Sequence, residues 1–204
     1  MSYKVIPFTL GMLGNNVYVV QKENNCVVID PTFDSENTVD KFIRNNGLHL
    51  EAVLLTHGHF DHCGGAGDFQ KQGVPVFCNE ADDSMCRSAS ANRWNIKCHD
   101  VAPDRHYAEG ENIAGDFRFD VMFVPGHTKG GVCLIFDDLL FSGDTLFHGT
   151  VGRTDLPGGD YSEMLRSLKR ISLLPDNLIV YPGHSDYGML LGDEKRANPY
   201  LNRL

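Results

Sequence analysis

The pattern of apolar and polar positions predicts short strands separated by helices. Residues 17–20 and 26–29 are two β-branched runs, and the polar turn between them predicts a hairpin. The second run ends at Asp30 before Pro31, because the residue that precedes a proline favours the end of a regular element. An apolar segment over residues 52–55 predicts a buried strand.

Helical signals follow each group of predicted strands. Apolar residues at helical spacing predict a surface helix over residues 35–46, and further helices are expected over residues 64–72 and 161–174. Residues 79–108 are polar, give no clear assignment and include the only tryptophan, Trp94.

The remaining apolar runs complete a pattern in which strands and helices alternate in both halves of the chain. They predict strands over residues 74–78, 117–124, 132–136, 139–142 and 178–181. Sheets covered by helices satisfy this pattern, so we expect an α/β sandwich. At 204 residues, the chain is long enough for one sizeable core, and we expect a single domain over residues 1–204.

Composition and charge indicate a globular protein and argue against one class of function, the binding of nucleic acid. A hydrophobic content of 42% is typical of a globular protein. The net charge of −9 argues against a nucleic-acid surface, which usually carries a basic patch. Two bound divalent cations would bring that charge from −9 to −5, so an acidic chain is compatible with a two-metal site, although solubility explains it equally well.

The cysteines and the hydropathy predict a cytoplasmic protein. Six cysteines are scattered without a C-x-x-C pair, which favours neither a zinc knuckle nor a disulfide framework. No secretory signal is evident, and no apolar stretch approaches the length that spans a bilayer. We therefore expect reduced thiols and no membrane partner.

A cluster of metal-ligating side chains follows the predicted strand 52–55. His57, His59, Asp61 and His62 lie within six residues, and imidazole and carboxylate are ligands that suit zinc, iron or manganese. His57 and His59 point the same way because side chains alternate along an extended segment, and the next turn can direct Asp61 and His62 to a second position. The cluster predicts a metal site.

Three further motifs place one possible ligand each at the end of a predicted strand. They are Pro-Gly-His-Thr with His127, Gly-Asp-Thr with Asp144, and Pro-Gly-His with His184. A rigid strand fixes the direction of each ligand, and the glycine allows the tight turn that exposes it.

The ordered set His-x-His-x-Asp-His, Pro-Gly-His-Thr, Gly-Asp-Thr and Pro-Gly-His resembles the metallo-β-lactamase fold superfamily. Within it, the chain is similar to the short glyoxalase II-like hydrolases. The resemblance extends over nearly the whole chain, including residues 152–155 and 198–201. It implies an αββα sandwich of two mixed β-sheets flanked by helices.

The same resemblance implies seven metal ligands. One metal ion would be bound by His57, His59 and His127, a second by Asp61, His62 and His184, and Asp144 would bridge them. Two zinc ions are expected, with iron or manganese as alternatives in one or both sites. Asp30 is either a carboxylate that orients a ligand imidazole or a turn residue.

Such a centre would hydrolyse a small thioester, S-lactoylglutathione or a related compound. Metal coordination lowers the pKa of water from roughly 16 to about 7, so a metal-bridging hydroxide can attack the thioester carbonyl. Asp61 and Asp144 are the expected catalytic carboxylates, with Asp61 assisting proton transfer. No serine-nucleophile motif or P-loop supports a competing chemistry. Cys63, beside the ligand cluster, is expected to be a buried thiol that packs behind the site.

The motifs predict the substrate contacts less clearly than they predict the metal ligands. Arg153 either binds a substrate carboxylate or forms an ion pair with Asp155, and His148 is expected at the mouth of the site. A thioester is the only partner that the sequence predicts, and it leaves the oligomeric state open.

Two alternatives remain open from the sequence. A mononuclear iron persulfide dioxygenase of the same superfamily would use His57 or His59 with His127 and Asp144, since ligand type alone does not select the metal. A non-catalytic metal-binding protein of the same fold is the other alternative, and the complete ligand set argues against it.

Overall fold

Two six-stranded mixed sheets pack face to face in the computed structural model, which describes residues 3–203. In the first sheet the strands follow the chain order from edge to edge. They are β1 (Lys4–Leu10), β2 (Asn15–Lys22), β3 (Asn25–Ile29), β4 (His49–Leu54), β5 (Val76–Cys78) and β6 (Arg105–His106). The first three strands are antiparallel and the last four are parallel.

The second sheet is built from the second half of the chain. Its strands are β7 (Gly110–Ala114), β8 (Phe117–Phe123), β9 (Val132–Phe136), β10 (Leu139–Gly143), β13 (Ile179–Pro182) and β14 (Met189–Leu190), with β11 (Leu146–Phe147) and β12 (Thr150–Val151) forming a separate hairpin. Across the sheet the order is β14-β13-β10-β9-β8-β7. The pair β10–β13 is parallel and the other neighbours are antiparallel.

Helices cover the outer faces of both sheets. They are α1 (Lys41–Asn45), α2 (Phe60–Cys63), α3 (Ala66–Gln70), α4 (Asp83–Cys86), α5 (Tyr161–Ser172) and α6 (Leu191–Ala197). Residues of α1 to α4 pack on the first sheet, and residues of α5 and α6 pack on the second. The expected αββα sandwich is confirmed.

The predicted strands are all present, but two predicted helices differ in detail. The helix expected over residues 35–46 begins with a π-helical turn, Glu36–Asp40, before α1. The helix expected over residues 64–72 is α3 alone, because Gly65 packs against the loop after β3. Its N–H donates to Pro31 O at 2.8 Å, and a Cβ there would lie 2.1 Å from Thr32 O.

Several regions were not assigned from the sequence, namely β1, region 79–108, β7, the β11–β12 hairpin, β14 and α6. Strand β1 contains Pro7 and forms an edge of its sheet, the position where a strand tolerates proline. The polar region 79–108 contains α4, β6 and the two 3₁₀ turns Glu80–Asp82 and Ala89–Ala91. Its structure depends on contacts with distant residues, so local patterns did not reveal it.

Alternating side chains of the inner strands enter different parts of the core. In β2, Val17 and Val19 pack toward the helices, whereas Tyr18 and Val20 pack between the sheets. Both faces of the strand are buried, which is why the sequence reads as a continuous apolar run. The six cysteines are unpaired, and Cys63 is fully buried as predicted, with its thiol 3.5 Å from Gly58 O.

In residues 3–203, no helix is long and apolar enough to cross a membrane.

Aromatic packing between the sheets is expected to dominate stability. Phe136 is fully buried, with its ring centroid 4.8 Å from that of Phe119 and 5.8 Å from that of Phe141. Phe136→Ala should lower the free energy of unfolding by about 3–5 kcal/mol, measured by urea denaturation. Ile113→Ala, at a side chain that is 55% exposed, should change it by less than about 1 kcal/mol. Equal effects of the two substitutions would contradict this assignment of the core.

Candidate metal centre

All seven predicted ligands converge at one edge of the sandwich, where strands from both sheets end. The ligand-bearing segments follow β4, β8, β10 and β13, and they carry His57, His59, Asp61 and His62, then His127, Asp144 and His184. Rigid strands therefore position every segment that reaches the site.

Three ring nitrogens form the first group. His59 Nδ1 lies 3.1 Å from His57 Nε2 and 2.9 Å from His127 Nε2. Such short distances place the lone pairs of neutral imidazoles around one point, which is the arrangement that a cation requires.

The second group joins two imidazoles with a carboxylate. His184 Nε2 lies 3.3 Å from His62 Nε2 and 3.5 Å from Asp61 Oδ2. In each of the two groups the ligand atoms lie within 4.8 Å of one another.

Asp144 lies between the two groups. Its Oδ2 is 3.4 Å from His127 Nε2 and 3.5 Å from His184 Nε2, and its Oδ1 is 3.4 Å from His62 Nε2. Within residues 3–203, Oδ1 is buried without a hydrogen-bond donor. A buried carboxylate oxygen needs a donor or a cation, so this atom fits a bridging metal ligand.

Gly183 permits the close approach of His184 to the centre. A Cβ at this position would lie 2.3 Å from Asp144 Oδ1 and 2.6 Å from His62 Cε1. The glycine of this Pro-Gly-His motif is therefore required for space.

Four ligand imidazoles use the nitrogen that faces away from the centre to contact an oxygen atom. The pairs are His57 Nδ1 with Thr56 Oγ1 at 3.1 Å, His62 Nδ1 with Asp30 Oδ2 at 2.9 Å, His127 Nδ1 with Arg153 O at 2.7 Å, and His184 Nδ1 with Leu13 O at 3.2 Å. Donation from Nδ1 fixes the tautomer in which the Nε2 lone pair faces the centre.

Asp30 supports both groups of ligands. Its Oδ2 contacts His62 directly and accepts a hydrogen bond from Thr56 Oγ1 at 2.6 Å, while its Oδ1 accepts from Thr56 N at 2.7 Å. Thr56 in turn contacts His57. Asp30, His57 and His62 also form a compact group, but the donors around Asp30 make it an orienting residue. Its predicted orienting role is supported, whereas the role of Thr56 was missed.

Asn15 and Asp82 are two further supporting residues that the sequence did not indicate. Asn15 Nδ2 donates to Asp61 Oδ2 at 3.1 Å. Asp82 accepts from Gly58 N at 3.0 Å, Thr128 Oγ1 at 2.6 Å and Gly130 N at 2.8 Å, which ties the loop of His57 to the loop of His127. Neither residue lies in a motif, and only tertiary contacts reveal them.

The two groups differ in their affinity for protons. Burial, followed by the charges of neighbouring histidines, lowers the pKa of His57 well below its usual value, and burial and His127 lower the pKa of His59 to about 4. Burial also opposes protonation of His62, but the carboxylates of Asp144, Asp30 and Asp61 outweigh it and raise the pKa of His62. For His184 burial again lowers the pKa, and contacts with Asp61 and Asp144 reverse the direction.

The carboxylate of Asp144, between the two groups, is held in its ionised form. Burial disfavours the charge on Asp144, but the neighbouring histidines, His62 first, lower its pKa to about 2. The centre therefore offers imidazole nitrogens and carboxylate oxygens without a thiolate, a donor set that fits a divalent metal such as zinc, iron or manganese.

A cavity of about 720 Å³ opens onto the ligands His59, Asp61, Asp144 and His184. Arg153 lines it, and its guanidinium donates to both carboxylate oxygens of Asp155, at 2.6 and 2.7 Å.

The structure does not bring His148 to this cavity. Its Nδ1 lies 2.7 Å from Oε1 of the buried Glu194, so the ring is turned toward helix α6. Its neighbour Phe147, the last residue of β11, lines the cavity instead, whereas His148 lies in the turn between β11 and β12.

Comparison with known proteins agrees with this geometry. The profile of the Metallo-beta-lactamase superfamily matches residues 10–184. The hydroxyacylglutathione hydrolase GloC of Haemophilus influenzae is 38% identical over 213 residues, an alignment that covers 99% of each protein.

Solved structures share the whole fold. The BLEG-1 B3 metallo-beta-lactamase superposes with a TM-score of 0.90 at 31% identity, covering 97% of this chain and 99% of that one. TTHA1623 in a di-iron-bound form gives a TM-score of 0.86 at 39% identity, with 97% and 100% covered. ETHE1 from Myxococcus xanthus gives 0.77 at 26% identity, with 98% and 84% covered.

Removing the hydroxyl group that links Asp30 to His57 should weaken metal binding. We expect Thr56→Val to lower the affinity for zinc by roughly 10–100-fold, because His57 loses the contact that orients its ring. Competition with a chromophoric chelator measures this affinity. Thr56→Ser should restore it, and Thr38→Val, at an exposed threonine, should leave it unchanged. Wild-type affinity in Thr56→Val would contradict the supporting role of Thr56.

Acidification should release metal from the two groups in sequence. A proton and a metal ion compete for the same lone pair, and the raised pKa values of His62 and His184 favour the proton at a higher pH than the lowered values of His57 and His59. Elemental analysis after dialysis at decreasing pH should therefore show two ions, then one, then none. A His184→Ala variant should bind one ion, and it should lose this ion at the same pH at which the wild-type protein loses its second ion. Simultaneous loss of both ions would contradict the difference between the groups.

Proposed function

The chain belongs to the metallo-beta-lactamase superfamily, and from this premise we propose that it hydrolyses a small thioester, S-lactoylglutathione or a related compound, with two zinc ions. As a member of this superfamily it is a metal-dependent hydrolase. The thioester substrate, the number of ions and the choice of zinc are the parts that we propose.

The observation that carries the proposal is the complete double set of ligands around Asp144. Each group supplies three ligand atoms, and the carboxylate between them has an oxygen for which residues 3–203 provide no hydrogen-bond donor. This arrangement supports two ions better than one. The similarity to a hydroxyacylglutathione hydrolase over 99% of the chain supports the thioester.

The ligand chemistry supports zinc, and it also accepts iron or manganese in one or both sites. The di-iron form of TTHA1623 supports that alternative. When bound, the metal ions would supply an activated water and stabilise the negative charge that develops on the carbonyl oxygen.

The residues around the ions favour a substrate with a good leaving group. Apart from the ligands, the titratable side chains that line the cavity in the described part of the chain are Arg93 and Arg153. Neither can protonate a leaving group at neutral pH, since an arginine stays charged. A thiolate leaves without such assistance, whereas an amine or an alkoxide needs it.

Asp61 is the carboxylate best placed to move a proton. Its Oδ2 faces His184 at 3.5 Å and accepts a hydrogen bond from Asn15, so its orientation is fixed. Arg153 would bind a substrate carboxylate by exchanging its partner Asp155, which the exposure of the pair allows. No contact supports such a role for His148.

A persulfide dioxygenase with one iron is the second candidate. The Gly-Arg-Thr-Asp segment at residues 152–155, a segment of that branch of the superfamily, favours it. It would leave Asp61, His62 and His184 without a metal, although their ligand atoms are as closely grouped as those of the first set. One iron per chain and oxygen consumption with glutathione persulfide would replace our proposal by this one.

We further infer that the protein is cytoplasmic, because its cysteines are unpaired, and that it consists of one domain. Its charge of −9 argues against binding of nucleic acid. We also infer that it does not bind a membrane. Fractionation of the native cell would test the location.

The zinc-loaded protein is expected to release thiol from S-lactoylglutathione, measured with a thiol-reactive dye. Asp144→Asn should lower kcat/KM on the order of 100-fold or more, since loss of even a residue that only orients a ligand lowers activity roughly 10–100-fold. The control Asp120→Asn, at an exposed position in β8, should keep wild-type activity. Absence of thiol release with two zinc ions bound would refute the thioesterase assignment.

A further inference from the structure

The only tryptophan of the chain stands in the wall of the metal cavity. Trp94 lines the cavity together with the ligands His59 and Asp61, yet 46% of its surface is exposed. A large aromatic ring that is half-exposed contributes less to the free energy of folding than a buried one. Its position in the cavity wall therefore indicates a role in binding.

The loop that carries Trp94 has a defined shape. Asn92 Oδ1 accepts a hydrogen bond from Ile96 N at 3.0 Å, and Asn92 Nδ2 donates to Ile96 O at 2.8 Å. This pair of bonds closes residues 92–96 into a turn with Trp94 near its tip.

The ring of Trp94 is also held by two neighbouring side chains, one outside the turn and one within it. Its centroid lies 5.1 Å from that of Phe60 with an interplanar angle of 31°, and the guanidinium carbon of Arg93 lies 4.3 Å from the ring centroid. Phe60 belongs to the core and stands between His59 and Asp61 in the chain. The two rings, which we call the Phe60–Trp94 wall, are therefore anchored to the metal ligands.

Further apolar side chains line the cavity beside these two rings. Leu13, Met85, Phe147 and Leu156 reach it from four different segments of the chain. A lactoyl group is small and polar, so it leaves this surface in contact with water. A substrate with a larger apolar group covers the wall and gains from its burial.

We propose that the Phe60–Trp94 wall binds an aromatic or branched aliphatic group of the substrate, and that Trp94 makes the protein prefer thioesters that carry such a group. This inference rests on the proposed thioester hydrolysis and specifies its substrate class. The apolar group can belong to the acyl part or to the thiol part, and the wall contacts either one by the same chemistry.

Kinetics with matched substrates separate the two parts. S-mandeloylglutathione differs from S-lactoylglutathione by a phenyl group in place of a methyl group, which tests the acyl part. The lactoyl thioesters of phenylmethanethiol and of N-acetylcysteamine test the thiol part. Each value of kcat/KM is compared between wild type and Trp94→Ala, so that intrinsic differences in reactivity cancel.

We expect Trp94→Ala to lower kcat/KM for the aromatic member of one pair at least roughly fivefold more than for the small member. Trp94→Phe should restore most of the preference, and Tyr161→Ala, at an exposed tyrosine outside the cavity lining, should not change it. Equal losses for aromatic and small members in both pairs would overturn the proposal.

Fluorescence tests binding without catalysis. Because Trp94 is the single tryptophan, its emission reports directly on the wall. In the zinc-loaded protein, the uncleaved thioether S-benzylglutathione should shift this emission with a dissociation constant at least roughly fivefold lower than that of S-methylglutathione. Equal constants would overturn the apolar wall even if thioesters are hydrolysed. A preference for the benzyl compound without any thioesterase activity would support the wall and refute the proposed function instead.

Discussion

The convergence of seven ligand atoms with lone pairs directed at a shared space is the constraint on which the rest of the structure depends. Neighbouring nitrogen and oxygen atoms of the ligands stand 2.9–3.5 Å apart, so lone pairs that face one another repel unless a proton or a metal ion lies between them. A flexible chain would relax this arrangement by rotating side chains outward. The protein holds it because hydrogen bonds on the far side of four imidazoles fix the rings in place.

Contacts between the sheets extend this support to the backbone. Tyr18 and Asn16 of β2 donate to Pro182 O of β13 at 2.6 and 3.1 Å, which fixes the segment that carries His184 relative to the first sheet. Asp82 similarly joins the loops of His57 and His127. The metal centre is thus attached to both halves of the sandwich. Relative movement of the sheets would separate the ligands within each group, because each group combines residues that follow β4 with a residue of the second sheet.

The site divides into a polar metal centre and an apolar cavity. The ligands would determine the class of reaction, since a metal that they bind can activate water. The cavity wall includes Phe60 and Trp94, and under our proposal it selects the substrate. Phe60 links the two parts because it lies in the ligand motif and packs in the core. Changes within the turn of Trp94, residues 92–96, are therefore expected to alter specificity while the metal centre stays intact.

The sequence by itself determined the candidate ligands, the fold class and most strands. Metal ligands cluster in short motifs, and residues buried on both faces of a strand form continuous apolar runs, so both signals are local. The interruption at Gly65, the partner of His148 and the supporting roles of Asn15, Thr56 and Asp82 were decided only by the tertiary structure. Each of these depends on a contact between residues far apart in the chain or on the space left by a packed neighbour. The spacing of residues along the sequence does not predict such contacts, because they form only when the sheets pack together.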